Sequence, residues 1–328
     1  MRRTAPVAAV AALAFASAHA AGNELESRVT ASDGLVAYSV PIVGGVQAPC
    51  CFTIHGRAVT QKGCNLDGRG MSVITDDVDR RAALDDSLTV YLRVEQGHIK
   101  RVRALGASCP IETTSKVRWI DSVDPASSVA MLSSLVDRNA TGDPDDQGLD
   151  ALAYHAGAAA TRALAVHAER SHRSAEREQA LFWLGQTRGV EGVDVVEHYA
   201  TTDADPKVRE HAIFALSQSK APDAYAHILA IAHNDPAKHV RSQAYFWLAQ
   251  MNDARAKDDI IAALKSESSD DVREEVVFAL SQLEDSADDA LIAVLRGDFP
   301  RDVKKQALFW LGQSGSPEAM AYFDEALK

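Results

Sequence analysis

Residues 180–186 read ALFWLGQ, and this phrase decides the fold of the C-terminal half. It returns as AIFALSQ at 212–218, AYFWLAQ at 244–250, VVFALSQ at 276–282 and ALFWLGQ at 307–313. The final glutamines of the five copies are 32, 32, 32 and 31 residues apart. A repeat of this length that holds two helical patterns is typical of a solenoid, in which each unit packs on its neighbours.

Each unit is expected to be a helical hairpin whose second helix contains the phrase. Two of these helices begin with an Asp-Pro pair, at 205–206 and 235–236, which is a cap followed by proline in the first turn. We expect a terminal capping helix with a polar outer face at 317–327. The five first helices are predicted at residues 149–169, 190–200, 221–232, 254–266 and 286–295.

One stripe of the second helix is predicted to be buried. At about 100° per residue, Val208, Ala212, Ala215 and Leu216 fall on one side of the helix and should form the core. We expect a large side chain at the position of Ala215 to pack over the small one of its neighbour. This position alternates in size along the five copies: Trp183, Ala215, Trp247, Ala279 and Trp310. The alternation indicates that a unit of two hairpins was duplicated.

An acidic residue followed by Val-Arg-x-x-Ala-x-x-x-Leu recurs through these units, as at Val208-Arg209 and Val240-Arg241. The pattern resembles the short HEAT-like repeat (the PBS-lyase type) of phycobilin lyase subunits and deoxyhypusine hydroxylase. The resemblance covers residues 149–328 and implies an all-α solenoid, here in an exported bacterial protein. It is specific for the fold and says little about function.

The recurring charged residues have a structural interpretation. Each aspartate is expected to cap a helix N-terminus, and each arginine to pair with an aspartate of its own or the next unit, in a ladder between repeats. The acidic positions considered are 203 or 205, 235, 270 or 271, and 298.

The phenylalanine and glutamine of each phrase lie on the side of the second helix away from the core stripe. In related solenoids the second helices line a concave surface, so the resemblance implies a partner-binding groove. Glutamine amides would pair with an extended peptide, and phenylalanines would grip its side chains. The alternative is that each ring is buried between repeats and each glutamine caps the following loop. The candidate residues are Phe182, Phe214, Phe246, Phe278, Phe309, Gln186, Gln218, Gln250, Gln282 and Gln313.

The stretch between about residues 34 and 121 has the short, extended patterns of a small β-rich domain. Residues 87–95 alternate in polarity and are followed by Gln96-Gly97 and a second extended run, which predicts a hairpin. The run 35–43 contains Pro41 and is predicted to be an edge strand.

Three further segments are interpreted from their turn and capping residues. Residues 65–68 (NLDG) resemble a fragment of a calcium loop but lack the ligands that should follow, so a turn is expected. A helix is predicted from Asp124-Pro125 to about Asp137. The polar, breaker-rich residues 140–148 are predicted to be a linker.

All the cysteines lie in the N-terminal half, at Cys50, Cys51, Cys64 and Cys109. An even number in an exported chain predicts two disulfides, and four cysteines allow three pairings. The adjacent pair is the least favoured bridge because neighbouring residues rarely reach disulfide geometry. A zinc site that uses His55 with three of the cysteines is the alternative, although its spacing matches no common ligand pattern.

The N-terminus has the pattern of a secretory signal peptide. Arg2 and Arg3 precede an apolar run at 7–16 that is too short to span a bilayer, and Ala18-His19-Ala20 fits a cleavage site. We therefore expect a periplasmic protein without a transmembrane segment. Losing the two arginines would take the net charge from −12 to −14, which argues against nucleic acid as a partner.

No catalytic constellation is recognised, because common nucleophile, metalloprotease and nucleotide-binding motifs do not occur. Deoxyhypusine hydroxylase binds iron through His-Glu dipeptides on successive repeats, whereas this chain has the reversed pairs Glu197-His198 and Glu210-His211. We expect no enzyme activity, metal or cofactor. Three nearby histidines are interpreted as core or solvated residues: His155, His167 and His172.

The sequence therefore predicts an α+β multidomain protein. It would comprise a signal peptide at 1–20, a disulfide-linked β-rich domain at 21–121, a helix and linker at 122–148, and a solenoid of five hairpins and a capping helix at 149–328. The predicted function is an exported scaffold or adaptor that binds a partner protein or extended peptide. The alternatives are a metal-dependent hydroxylase- or lyase-like enzyme and an envelope sensor whose β domain binds a ligand.

Overall fold

The structure, a computed structural model, describes residues 20–55, 58–68, 85–138, 148–170, 173–219 and 221–326. Nearly all of the predicted signal peptide and linker, and His172, lie outside these ranges. The chain forms two compact units, unit 1 (Met1–Trp183) and unit 2 (Leu184–Lys328). A β region with disulfides precedes an all-α repeat region, as the sequence predicts.

The centre of unit 1 is a four-stranded sheet in the order β6-β5-β1-β8. Strands β1, β5 and β6 pair antiparallel, whereas β8 runs parallel to β1. Their bounds are Gly34–Pro41 for β1, Ser87–Glu95 for β5, His98–Gly106 for β6 and Val117–Trp119 for β8. Two small pairs flank this sheet: β2 (Phe52–His55) with β3 (Ala58–Gln61), and β4 (Cys64–Asn65) with β7 (Ile111–Glu112).

The predicted hairpin is confirmed, and the predicted edge strand is wrong. Gln96 and Gly97 both have positive φ, 52° and 71°, which is the geometry of the tight turn that best suits twisted strands. β1, by contrast, lies between β5 and β8. Pro41 is tolerated there because it is the last residue of β1 and β8 pairs only with residues 35–37.

Both disulfides lie beneath the sheet region of unit 1. Cys50 bonds Cys109, and Cys51 bonds Cys64, so the adjacent cysteines are not bridged to each other. All four are buried in one cluster with apolar residues such as Leu35. The sulfur atoms are therefore engaged with one another, and the alternative zinc site is not formed.

The NLDG segment is a turn, as expected. The Asn65 side-chain oxygen accepts hydrogen bonds from the amides of Asp67 and Gly68, at 2.9 and 2.8 Å. The Asp67 carboxylate accepts hydrogen bonds from Arg93 and from Thr114, which ties the turn to two other segments.

Helices complete unit 1. Residues 20–29 form α1, and α2 begins after Asp124, whose carboxylate accepts a hydrogen bond from the Ser127 amide at 2.9 Å and so caps the helix. The single helix predicted at 149–169 is wrong, because Gly157 has φ +88° and breaks it in two. The bounds are Pro125–Arg138 for α2, Gly148–Tyr154 for α3, Ala158–Arg170 for α4 and Ser174–Thr187 for α5, the last of which contains the boundary between the units.

Unit 2 is a stack of helical hairpins. α6 pairs with α7, α8 with α9, α10 with α11 and α12 with α13, and the second helices also contact one another in order. The first helices lie within three residues of their predicted bounds. The helices are α6 (Gly189–Thr202), α7 (Pro206–Ser217), α8 (Ala224–Asn234), α9 (Lys238–Gln250), α10 (Ala256–Ser266), α11 (Asp270–Ser281), α12 (Ala287–Arg296), α13 (Arg301–Ser314) and α14 (Pro317–Ala326).

The predicted core stripe is confirmed. Val208, Ala212, Ala215 and Leu216 are completely buried in α7. The stack is tight enough that a Cβ atom added to Gly185 would lie 2.7 Å from the Ala215 carbonyl oxygen. Close approach of second helices therefore depends on small residues at this contact.

The predicted ladder of charged residues joins successive repeats. Both Arg209 nitrogens bond the Asp235 carboxylate, at 2.7 and 2.9 Å, and Arg241 binds Glu267 in the same way, with both distances 3.0 Å. Arg241 also donates to the Asp235 carbonyl oxygen, which links the two rungs. The third acid is Glu267 rather than 270 or 271, because the rungs repeat every 32 residues; the next such position is the buried Phe299, where this series ends.

Among the described residues, no helix has the length and apolarity needed to cross a membrane.

Candidate functional site

The candidate site in unit 2 is a line of aromatic rings on the second helices. We call Phe214, Phe246, Trp247, Phe278, Phe309 and Trp310 the aromatic row. Phe214 contacts Trp247 with 4.9 Å between ring centroids, and Phe246 lies parallel to Phe278 at 6.1 Å. Phe278 contacts Trp310 at 5.0 Å, so each ring touches the next repeat or its neighbour in the same helix.

The rings of the row are partly accessible to solvent. Phe214, Phe246, Trp247, Phe278 and Trp310 are half-buried, and 53% of Phe309 is exposed. The stripe beneath them is fully buried, so the row forms a separate face of each helix. The rings therefore have one side packed within the stack and another side available for contact.

The role of the tryptophans was missed by sequence reasoning, which assigned them to the core. In unit 2 they belong to the row, because Trp247 and Trp310 each pack against the phenylalanine of the preceding repeat. Aromatic pairs at this separation are worth about 1 kcal/mol beyond the area they bury. The signal was present in the sequence, since each tryptophan directly follows a phenylalanine of the row.

The glutamines of the phrase alternate in their contacts. Gln186 and Gln250 donate to the carbonyl oxygens of Gln218 and Gln282, both at 3.4 Å. Gln218 and Gln282 instead donate to the serine hydroxyls that precede them and lie at the C-terminal caps of their helices. Gln313 is exposed at the corresponding position of α13. Because an amide has two donor hydrogens and an accepting oxygen, these long bonds leave hydrogen-bonding capacity on the surface.

The first copy of the phrase has different surroundings in unit 1. Trp183 is buried, contacts the Tyr154 ring at 5.4 Å and donates its indole N–H to Asp150 at 2.8 Å. Burial of Asp150 raises the pKa of its carboxyl, although the hydrogen bonds from Trp183 and Gln179 oppose the rise. Phe182 is half-buried and lies edge-on to Trp183 at 5.1 Å.

The two reversed Glu-His pairs do not converge on a common centre. Glu197 pairs with His227 at 2.7 Å, and Glu210 pairs with His239 at 3.1 Å. Each carboxylate therefore has a different imidazole partner on another helix.

Comparison with known proteins identifies the repeats. A family model described as HEAT repeats matches residues 161–245 and 226–291. Among solved structures, the chain is similar to human deoxyhypusine hydroxylase in complex with glycerol, with 18% sequence identity and a TM-score of 0.29. That similarity covers 59% of this chain and 87% of the other. No curated protein sequence matches this chain.

Proposed function

Because the C-terminal half of this chain is built of HEAT repeats, we propose that it is a binding scaffold. Unit 2 would hold an extended segment of a partner protein along the aromatic row. The observation that carries this proposal is the row itself: six rings, repeated in register on successive helices, keep one side accessible. Repeat proteins use such continuous surfaces to bind elongated partners.

The chemistry of the surface favours an extended polypeptide. Rings about 5–6 Å apart offer apolar contacts that an extended chain can meet with successive side chains. The glutamine amides beside them can donate to and accept from a peptide backbone. The acidic character of the chain does not favour a nucleic acid. A binding protein rather than an enzyme is proposed because the repeated feature offers contacts and no reacting group.

Export to the periplasm is part of the proposal. It is supported by the signal-like N-terminus and by the two buried disulfides of unit 1, which are typical of an oxidising compartment.

The test compares capture from a cell-envelope extract by three immobilised proteins. The wild type is expected to retain a partner that the triple variant Phe214→Leu/Phe246→Leu/Phe278→Leu loses, because leucine keeps apolar volume but removes the rings. The matched control is Trp119→Leu, which removes a 53% exposed ring in unit 1. Circular dichroism establishes that all three proteins are folded.

The captured protein is then divided into overlapping peptides to locate the bound segment. Equal capture by the wild type and the triple variant would remove the row from the proposal. Loss of capture in Trp119→Leu alone would move the binding surface to unit 1.

A further inference from the structure

Three helices of unit 1 bring one histidine and two carboxylates together. Asp137 lies at the end of α2, His167 in α4 and Glu176 in α5. The Nδ1 atom of His167 is 3.0 Å from Glu176 Oε1 and 3.6 Å from Asp137 Oδ1. The three donor atoms all lie within 4.8 Å of one another. They meet although they are 30 and nine residues apart in sequence.

The spacing of these atoms fits a small divalent cation. Nitrogen and oxygen ligands sit about 2.1 Å from zinc, so two ligands of a tetrahedral site are roughly 3.4 Å apart. The observed 3.0 and 3.6 Å differ from that separation by less than a side-chain adjustment. An imidazole with two carboxylates is a donor set that zinc accepts, and the two negative charges would neutralise the ion.

The cluster combines buried ligands with one exposed ligand. His167 is 1% and Glu176 9% exposed, whereas the Asp137 side chain is 62% exposed. Two ligands would therefore be held in the packed interior while the third lies at the surface. This arrangement gives an ion a route from solvent and leaves room for a water molecule as the fourth ligand.

Neighbouring side chains are placed to support the ligands. Ser133 Oγ is 2.9 Å from His167 Nε2, and Arg173 binds the second oxygen of Glu176. When the Nδ1 lone pair binds a metal, the ring proton resides on Nε2 and is donated to the serine oxygen. The change is a tautomer shift of a neutral imidazole, so the ring gains and loses no net proton. Arg173 would keep the glutamate oriented.

From this geometry we propose that Asp137, His167 and Glu176 form a zinc site that clamps α2, α4 and α5 together. The proposal is independent of the aromatic row, because all its residues belong to unit 1. Sequence reasoning missed the site because the three residues follow no local spacing pattern, and it interpreted His167 as a core or solvated histidine.

The experiment uses the full chain without a histidine tag, with its disulfides intact, after dialysis against a chelator. Zinc chloride is titrated by calorimetry, and thermal unfolding is followed with and without zinc. We expect one zinc ion per chain and a higher unfolding temperature in its presence. Asp137→Asn should weaken zinc binding at least about tenfold, the typical size of losing one ligand contact. This isosteric change at an exposed residue should leave the fold intact.

The matched control is Glu169→Gln, an exposed acid two residues from His167 that is outside the cluster. It should bind zinc as the wild type does. His167→Gln should abolish binding, and if that variant does not fold, Asp137→Asn decides alone. Cobalt in place of zinc gives a second readout, since its visible spectrum should be tetrahedral in the control and altered in Asp137→Asn. Absence of zinc binding, or equal binding by Asp137→Asn and Glu169→Gln, would overturn the proposal.

Discussion

Individual arginines join one repeat of unit 2 to the next. Arg209 and Asp235 are both buried, and their two parallel hydrogen bonds raise the pKa of the Arg209 guanidinium. At the next rung, burial raises the pKa of Glu267, but hydrogen bonds from Arg241 and from the Ser269 amide outweigh burial and hold that pKa below its usual value. Each rung is therefore ionised at neutral pH and satisfied by its neighbour.

Replacing Arg209 should destabilise unit 2 strongly. In Arg209→Ala the Asp235 carboxylate stays buried without its cation, so we expect a loss of about 3 kcal/mol in the free energy of unfolding. Urea unfolding measures this loss. The control is Lys238→Ala, which breaks a 3.1 Å ion pair between exposed side chains and should cost under about 1 kcal/mol. Similar losses in the two variants would show that burial of the ladder does not matter.

At the scale of helices, stacking depends on what each second helix presents to the next. Gly185 in α5 faces the backbone of α7 so closely that no side chain fits. The equivalent residue of α13 is Gly312, where an added Cβ would meet only the Phe323 ring at 4.0 Å. The same residue type thus has a packing role in one helix and none in the other.

Alanine at these two glycines should have opposite effects. Gly185→Ala forces two helices apart and should destabilise unit 2 by about 2 kcal/mol, as overpacking does. Gly312→Ala meets open space and should stabilise by about 0.5–1 kcal/mol, because alanine favours helix more than glycine does. Thermal unfolding of both variants measures the difference. Stabilisation in both would mean that α5 and α7 can separate without loss.

Elements with local signals could be predicted from the sequence, and contacts between elements could not. The periodicity of the phrase locates the second helices, and Asp124-Pro125 marks the start of α2. The break at Gly157 was missed because its positive φ is set by the packing of the segments around it. The central place of β1 depends on which strands pair, a nonlocal choice. The same reason explains why the contact of Phe214 with Trp247 and the cluster around His167 appear only in three dimensions.

At the scale of the whole molecule, covalent and noncovalent means of stabilisation are divided between the units. Both disulfides belong to unit 1, and the sequence has no cysteine after Cys109. Unit 2 relies on buried apolar stripes, the arginine ladder and ring contacts. The sequence predicted this division of composition, whereas the compact units meet inside α5.

Reduction of the disulfides should act first on unit 1. The two bonds span 59 and 13 residues, for which loop entropy gives about 4 and about 3 kcal/mol of stabilisation. Hydrogen exchange read by mass spectrometry should show faster exchange in β1, β5 and β6 after a reductant is added. Amides of α7 to α13 provide the reference in the same sample. Unchanged exchange in the three strands would mean that noncovalent packing suffices there.

The alternation of tryptophan and alanine has a consequence for how such a chain can lengthen or shorten. Phe214 and Phe278 each meet a tryptophan on the following repeat, whereas Phe246 meets a phenylalanine, so successive junctions differ in kind. Excising one hairpin would bring two bulky indoles to adjoining positions. Excising two, the 64 residues between equivalent glutamines 186 and 250, would recreate a junction that already exists. Gene rearrangements that preserve folding are therefore expected to add or remove hairpins in even numbers.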